Sequence, residues 1–235
     1  MTKFRFRHFD LDDGGCGLRT GSDSVLLGAR FCRRHGSARS IADIGSGSGV
    51  LALLCADGCP AARIDAVEIE PTAAAAARAN CAASPWADRL NVLCADFTSL
   101  TPDSPYDAII SNPPYFSGGL TAPDPLRAAA RHQNTLTYGA LIDYARRYLA
   151  PDGVLAFISP SEAEAAIVWE GVRAGMFLRD LCRVRTSARR TPSRLLWELS
   201  PTDGPFTEST IEMRGADGEY TPGYLDIVKP FYHHI

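Results

Sequence analysis

A chain of 235 residues, 46% hydrophobic and 22% charged, has the apolar content to bury one large core, which excludes a disordered protein. Its 20 Gly and 16 Pro follow no period, so collagen-like and low-complexity classes are excluded, and no apolar run approaches the roughly 20 residues that span a bilayer. A net charge of −3 argues against a protein that coats nucleic acid wholesale.

The first segment, Met1 to Arg7, alternates charged and aromatic residues and carries no signal-peptide core. Ser22 and Asp23 precede the apolar Val25-Leu26-Leu27, where a helix is expected. From residue 40, apolar runs alternate with helical patterns. Ser40–Ile44 ends in Gly-Ser-Gly-Ser-Gly and is followed by Val50–Cys55; Ile64–Ile69 is followed by the Ala-rich Thr72–Ala83, which has Pro71 at its start. Leu90–Cys94 and Tyr106–Ile110 are further strands, and Thr137–Leu149 is an amphipathic helix stopped at Pro151-Asp152-Gly153. A fifth strand at Val154–Ile158 leads into a helical Ser161–Ala174 with acids in its first turn. This rhythm predicts an α/β domain with a parallel sheet covered on both faces. Leu178–Arg185 and Arg194–Leu199 then read as an antiparallel pair joined by an Arg-rich loop. One domain over 1–235 is expected, with 1–39 an N-terminal extension contributing to the site and 40–235 the catalytic core.

The seven Cys, at 16, 32, 55, 59, 81, 94 and 182, form no CxxC pair. Reduced thiols in a soluble cytoplasmic protein are the expectation, with no metal. Charge is unevenly spread: residues 1–39 carry +4 and 173–194 carry +6, around an acidic 40–172 at −8. Two basic stretches flanking a central site suit phosphate gripping, although solvated helix faces give the same count.

The chemistry concentrates at strand ends. In Asp43-Ile44-Gly45-Ser46-Gly47-Ser48-Gly49, the glycines let the backbone approach a ligand where a first strand turns into a helix. The spacing is GxGxG, and Asp43 would repel a dinucleotide pyrophosphate but suits a ligand with a cationic amino acid moiety. Glu68, at the end of the second strand with Ile69 beside it, can accept both hydroxyls of a ribose; Glu70 lies two residues further on, towards solvent. Asp96 suits an adenine amino group and Phe97 the adenine ring. Asn112-Pro113-Pro114-Tyr115-Phe116 follows the fourth strand. There Asn112 and the Pro113 carbonyl offer two acceptors for the two protons of a planar exocyclic amine, which stacks on Tyr115. Holding both protons turns the nitrogen lone pair towards an electrophile.

From Asp43 to Tyr115 the pattern resembles class I S-adenosylmethionine-dependent methyltransferases with the Asn-Pro-Pro-Tyr signature of exocyclic-amine methylation. The resemblance implies a Rossmann-like, mostly parallel seven-stranded sheet with an antiparallel last strand and helices on both faces. The signature is shared by nucleic-acid adenine, some rRNA guanine and protein glutamine methyltransferases. Phe4-Arg5-Phe6-Arg7-His8-Phe9, Leu18 to Gly28, Ser84-Pro85-Trp86-Ala87-Asp88-Arg89, Ala130-Arg131-His132 and Lys229-Pro230-Phe231-Tyr232 are similar to the bacterial tRNA(Val) adenine-N6-methyltransferases, which modify the adenosine 3′ of the anticodon. Arg19, Ser22 and His8 depart from the Lys, Thr and Gln expected there.

The resemblance implies S-adenosylmethionine held by Asp43, Gly45, Ser46, Gly47, Gly49, Glu68, Ile69, Asp96 and Phe97, with Asn112 at its edge. Asn112, Pro113 and Tyr115 would act on the target amine, and Phe116 would form a second wall. Ser22 and Asp23 read equally as a helix cap and as a cover over the methionine end of the cofactor. Lys3, Arg5 and Arg7, interleaved with Phe4 and Phe6, together with Arg183, Arg185, Arg189, Arg190 and Arg194, are the expected tRNA contacts. A glutamine-N5 protein methyltransferase and a non-catalytic RNA-binding protein on the same fold are the alternatives. Oligomeric state is left open.

Overall fold

The computed structural model describes residues 3–12, 21–114 and 136–233. Strands β3 (Ser40–Ile44), β4 (Arg63–Glu68), β5 (Leu90–Cys94), β6 (Tyr106–Ser111) and β7 (Leu149–Pro160) form a parallel set. β3, β6 and the end of β7 are near-continuously apolar because both faces are covered, whereas the edge strand β5 is only partly buried. Val154, Ala156 and Ile158 of β7 face one core, and Leu155 and Phe157 face the other. Helices α1 (Ser22–His35), α2 (Val50–Gly58) and α3 (Pro71–Ala83) contribute to the first core; α4 (Tyr138–Tyr148) and α5 (Glu164–Arg173) contribute to the second. β7 begins before the expected apolar run: Leu149 pairs with Tyr106 ahead of a register shift, so Pro151-Asp152-Gly153 lies inside the strand.

β8 (Phe177–Ser187) and β9 (Arg194–Ser200) are the expected antiparallel pair, with β9 inserted between β7 and β8. The sheet has eight strands in the order β10-β8-β9-β7-β6-β3-β4-β5, one more than the resemblance implies. The eighth, β10 (Thr207–Arg214), runs parallel to β8 at the edge and precedes α6 (Pro222–Val228). Its hydropathy hides it, because Ile211 is its one buried residue. β9 alone runs against the other seven.

Two consequences position the site. The chain crosses from β3 to β4 on one side and β6 lies on the other, so a crevice opens at the carboxyl ends of β3, β4 and β6. The turn 188–193 reaches the same edge, because Arg194 pairs with both Pro160 and Val184.

The N-terminal hairpin, β1 (Lys3–Arg5) and β2 (Asp10–Asp12), is tied to the core by aromatic contacts. Phe6 stacks on Phe9 at 4.5 Å and on Tyr232 at 5.9 Å, and Phe9 meets Trp86 edge-on at 5.8 Å. Asn80 of α3 donates to Asp12 O (2.8 Å) and Ser48 O (2.9 Å), which joins the hairpin to the glycine-rich loop. At its far end α1 is clamped to β8 and β9. Arg30 pairs with Asp180 at 2.7 Å and Arg34 with Glu198 at 2.8 Å.

The Ser84–Arg89 segment has a structural purpose. Arg89 donates to Ala56 O (2.8 Å), Cys59 O (3.3 Å) and Ala62 O (2.6 Å), satisfying carbonyls at and beyond the end of α2. Arg89→Ala is expected to cost about 2 kcal/mol, or ~4–8 °C in Tm by thermal melting, with cofactor affinity unchanged. An unchanged melt would remove this capping role.

Candidate active site

The glycine-rich loop leaves β3 through backbone bonds: Gly45 N and Ser46 N both donate to Val67 O, at 2.9 and 3.0 Å, fixing the loop to the end of β4. Gly45 has φ +72°, and a Cβ there would lie 2.6 Å from Leu136 Cδ2, so both conformation and space demand glycine. Gly47, at φ +55°, faces open space, with nothing within 4 Å of a built Cβ. Gly49 is the N-cap of α2.

Asp43 is completely buried beneath this loop. Its Oδ2 accepts from Ala52 N at 3.0 Å, and its Oδ1 has no partner among the described residues. Burial pushes its carboxyl up to about 7; the Ala52 N–H opposes this, and the nearby Glu68 charge adds to it. Ser46 Oγ is likewise buried and without a partner. An unsatisfied carboxylate oxygen and hydroxyl under an open glycine turn are what an ammonium-bearing ligand would complete.

Glu68 is positioned by two backbone donors, Gly47 N to Oε2 at 2.8 Å and Glu70 N to Oε1 at 2.9 Å. Each oxygen keeps further acceptor capacity. Glu70 is instead the N-cap of α3, accepting from Thr72 N (3.0 Å) and Ala73 N (2.7 Å). The Thr72 N–H first, then that of Ala73, holds its carboxyl below the usual carboxylate range. Glu70 is thus engaged at the start of α3, and Glu68 at the glycine-rich loop. Ile69, 43% exposed, is an unusually open aliphatic side chain beside Glu68. Asp96 caps a short 3-10 turn, its Oδ1 accepting from Thr98 N at 2.9 Å and Thr98 Oγ1 at 2.8 Å. Phe97 corrects the expectation of a ring against the ligand. It is 5% exposed and packs edge-on to Tyr144 at 5.4 Å, inside the core beneath α4.

At the end of β6, Ser111 Oγ donates to Ile44 O at 2.7 Å, locking the tips of β6 and β3 together. Asn112 follows, half-buried, and its Nδ2 donates to Ser24 Oγ at 2.8 Å. Pro113 is buried and Pro114 half-buried. The Asn112-Pro113 segment thus stands beside the glycine-rich loop. Tyr115, Phe116, the residues Leu18 to Thr20, and Ala130 to His132 lie outside the described residues.

The basic residues divide. Lys3 pairs with Asp12 in the hairpin ladder; Arg5 and Arg7 are exposed, with Arg5 3.8 Å from Asp10. Phe6 belongs to the core, which corrects its reading as a stacking surface. Arg183 is held by Glu164 (2.7 Å) and Glu208 (2.8 Å), Arg185 by Glu212 (3.2 Å) and Arg194 by Asp23 (2.8 Å). The +6 count of this stretch therefore overstates its free positive charge. Arg189 and Arg190 are exposed on the turn 188–193 and have no carboxylate partner among the described residues.

Three residues that matter here were not singled out by their sequence context: Ser24, Asn80 and Leu136. Each acts through a partner distant in sequence, with no motif to announce it. Asp23 neither caps α1, whose N-cap Gly21 has no side-chain bond, nor stands alone, since it pairs with Arg194. Among the described residues, no group of three His, Cys, Asp or Glu could hold a metal ion, and no helix is long and apolar enough to cross a membrane.

Residues 21–171 match the methyltransferase small domain family. A relative from Porphyromonas gingivalis strain W83, named tRNA1(Val) (adenine(37)-N6)-methyltransferase, is 40% identical over 243 residues, covering 97% of this chain and 94% of that one. A relative of the same name from Vibrio cholerae strain M66-2 is 38% identical over 229 residues, with 97% and 94% covered. Among solved structures, one titled a predicted O-methyltransferase from Agrobacterium tumefaciens has a TM-score of 0.70 at 20% identity, covering 90% of this chain and 98% of that one. A glycopeptide N-methyltransferase complexed with S-adenosyl-L-methionine has a TM-score of 0.58 at 15% identity, covering 79% and 90%. These two likenesses show the class I methyltransferase fold. With relatives at this identity along almost its whole length, the chain belongs to the tRNA1(Val) (adenine(37)-N6)-methyltransferase family, within the methyltransferase small domain family.

Proposed function

We propose that this enzyme transfers a methyl group from S-adenosylmethionine to the exocyclic N6 amine of an adenosine in tRNA, beside the anticodon of tRNA(Val). One observation carries the chemistry: the Asn112-Pro113 pair stands at the tip of β6, fastened to the tip of β3, next to a loop that covers an unpartnered buried carboxylate oxygen.

Asp43 Oδ1 and Ser46 Oγ are the acceptors for the cofactor's amino acid end, beside the open turn at Gly47. Glu68 accepts the ribose hydroxyls, Ile69 offers an apolar wall, and Asp96 accepts from the adenine amino group. When bound, the cofactor supplies a methyl group at a sulfonium centre. Asn112 Oδ1 and the Pro113 carbonyl each accept one proton of the target amine. Neither Pro113 nor Pro114 has an N–H to compete for those acceptors. Held this way, the nitrogen lone pair leaves conjugation with the ring and points at the methyl carbon. With the cofactor bound, the amine oriented by Asn112 and Pro113 would receive that methyl group and release one proton to solvent. Catalysis is chiefly proximity and orientation. The adenine must leave its stack to enter, which costs less in an anticodon loop than in a duplex. A tRNA substrate implies a cytoplasmic enzyme.

The test is radiolabelled S-adenosylmethionine with bulk unmodified tRNA, followed by nucleoside chromatography. Label in N6-methyladenosine is expected. Label only in added translation-factor protein would shift the target to glutamine, and silence in both with cofactor bound would leave an RNA-binding protein.

Arg189 and Arg190, exposed on the turn at the site's edge, are the phosphate contacts this reading favours over the paired arginines. Arg189→Ala/Arg190→Ala is expected to reduce the slope of log affinity against log salt by roughly 1–2, at about 0.9 per phosphate released. An unchanged slope would move the grip elsewhere, with Arg5 and Arg7 next.

A further inference from the structure

An asparagine presents two unlike ends, and only its carbonyl oxygen can receive a proton from the target amine. Its NH2 end, turned the same way, would set donor against donor. Asn112 is half-buried, and its neighbours Pro113 and Pro114 offer no backbone N–H to choose between the two ends. The carboxamide is held in place from another element. Asn112 Nδ2 donates to Ser24 Oγ at 2.8 Å, and Ser24, 6% exposed, sits in the first turn of α1. In this arrangement Nδ2 is the end on α1 and Oδ1 the opposite end; because a serine hydroxyl both donates and accepts, the bond fixes where the carboxamide stands.

The serine that does this is itself held. α1 lacks a side-chain cap at Gly21, so Ser24 and Asp23 are not spent on its N-terminus in the usual way. Asp23 binds Arg194 Nε at 2.8 Å, pinning this turn to the first residue of β9. Further along, Arg30 and Arg34 fix the same helix to Asp180 and Glu198, which are 1% and 4% exposed. The helix is therefore anchored on both sides of Ser24, and the hydroxyl is a fixed point.

We infer that Ser24 is a positioning residue that holds the carboxamide of Asn112 at the place the reaction requires. This rests on the reading of Asn112 as the acceptor of the target amine. Ser24 acts through Asn112, on where its carboxamide stands.

The experiment measures kcat, the KM for tRNA, cofactor Kd and Tm for the wild type, Ser24→Ala and Ser24→Thr, with N6-methyladenosine as product. Ser24→Ala is expected to lower kcat about tenfold, the net worth of one hydrogen bond. Its cofactor Kd and KM are expected to stay within about twofold and its Tm within a few degrees. Ser24→Thr, which keeps the hydroxyl, is expected to recover most of kcat. An alanine variant as fast as wild type, or one whose loss lies in Kd or Tm instead of kcat, overturns the inference. So does a threonine variant that melts like wild type yet turns over like alanine. A wild type that makes no N6-methyladenosine sinks the reading beneath it and takes the inference with it.

Discussion

Asn112→Ala is expected to lower kcat by at least 10²–10³-fold while cofactor Kd stays within about twofold. Removing one preorganised polar group that engages the reacting centre costs that much in other enzymes, and the loss here should be at the upper end. Asn112 and the Pro113 carbonyl form a pair, and with one acceptor gone the amine can rotate to regain conjugation with its ring. The remaining bond then holds the nitrogen without directing its lone pair. Cofactor binding survives because the residues assigned to it, from Asp43 to Gly49 with Glu68 and Asp96, are secured by their own bonds to Val67, Ala52, Glu70 and Thr98. The check is single-turnover kinetics beside calorimetric Kd. Near-wild-type turnover would remove Asn112 from the chemistry, and a Kd that rises with the loss of rate would make it a cofactor ligand instead.

Asp43→Asn should make the protein more stable and much less able to bind its cofactor. A carboxyl whose pKa is raised on folding costs nothing below its unfolded value and the most above its folded one. For Asp43 the cost therefore grows as pH rises from the ordinary carboxylate range to about 7. A shift of that size is worth on the order of 4 kcal/mol. Asparagine keeps an acceptor for Ala52 N and abolishes the buried charge. The ligand-free variant is expected to gain up to ~10 °C in Tm at pH 8, and the gain should shrink towards zero near pH 4. Cofactor affinity should fall by at least 100-fold, because the ammonium loses its counter-charge. In the wild type, affinity should weaken about tenfold per pH unit below about 7, and the variant's weaker affinity should lack that step. Melts across this pH range with calorimetry at pH 6 and 8 decide it. A variant that binds normally, or that melts lower at pH 8, would mean that Asp43 does not hold the cofactor as an anion.

The parallel half of the sheet was legible because burial on both faces leaves an apolar imprint, continuous in Val154–Ile158 and broken only by Asp65 and Glu68 in Ile64–Ile69. The glycines, Glu68 and Asn112 stood out because each falls at or just beyond the end of a strand. β10 was not, since an edge strand with one buried residue looks like a polar loop. Phe97 misled because an aromatic beside a motif residue says nothing about which way its ring points; in the fold it points under α4. The arginines misled for a related reason. Arg183 and Arg185 find Glu208 and Glu212 on β10, a strand invisible to hydropathy, and Arg194 finds Asp23 at the other end of the chain. Ser24 lies 88 positions from Asn112, beyond any local pattern.

The single reversed strand has an evolutionary consequence. Were β9 parallel to its neighbours, the chain would have to leave β8 at one end of the sheet and re-enter at the other, through a crossover too bound up with the core to alter freely. Reversal lets it go out and come back at the same rim through 188–193, a bend that carries Arg189 and Arg190 and no part of the methyl-transfer machinery. Such a bend can lengthen, shorten or change its charge while the chemistry beneath it stays intact. On the proposed role of Arg189 and Arg190, the grip on the substrate can change at one hairpin tip while the residues proposed for methyl transfer stay as they are.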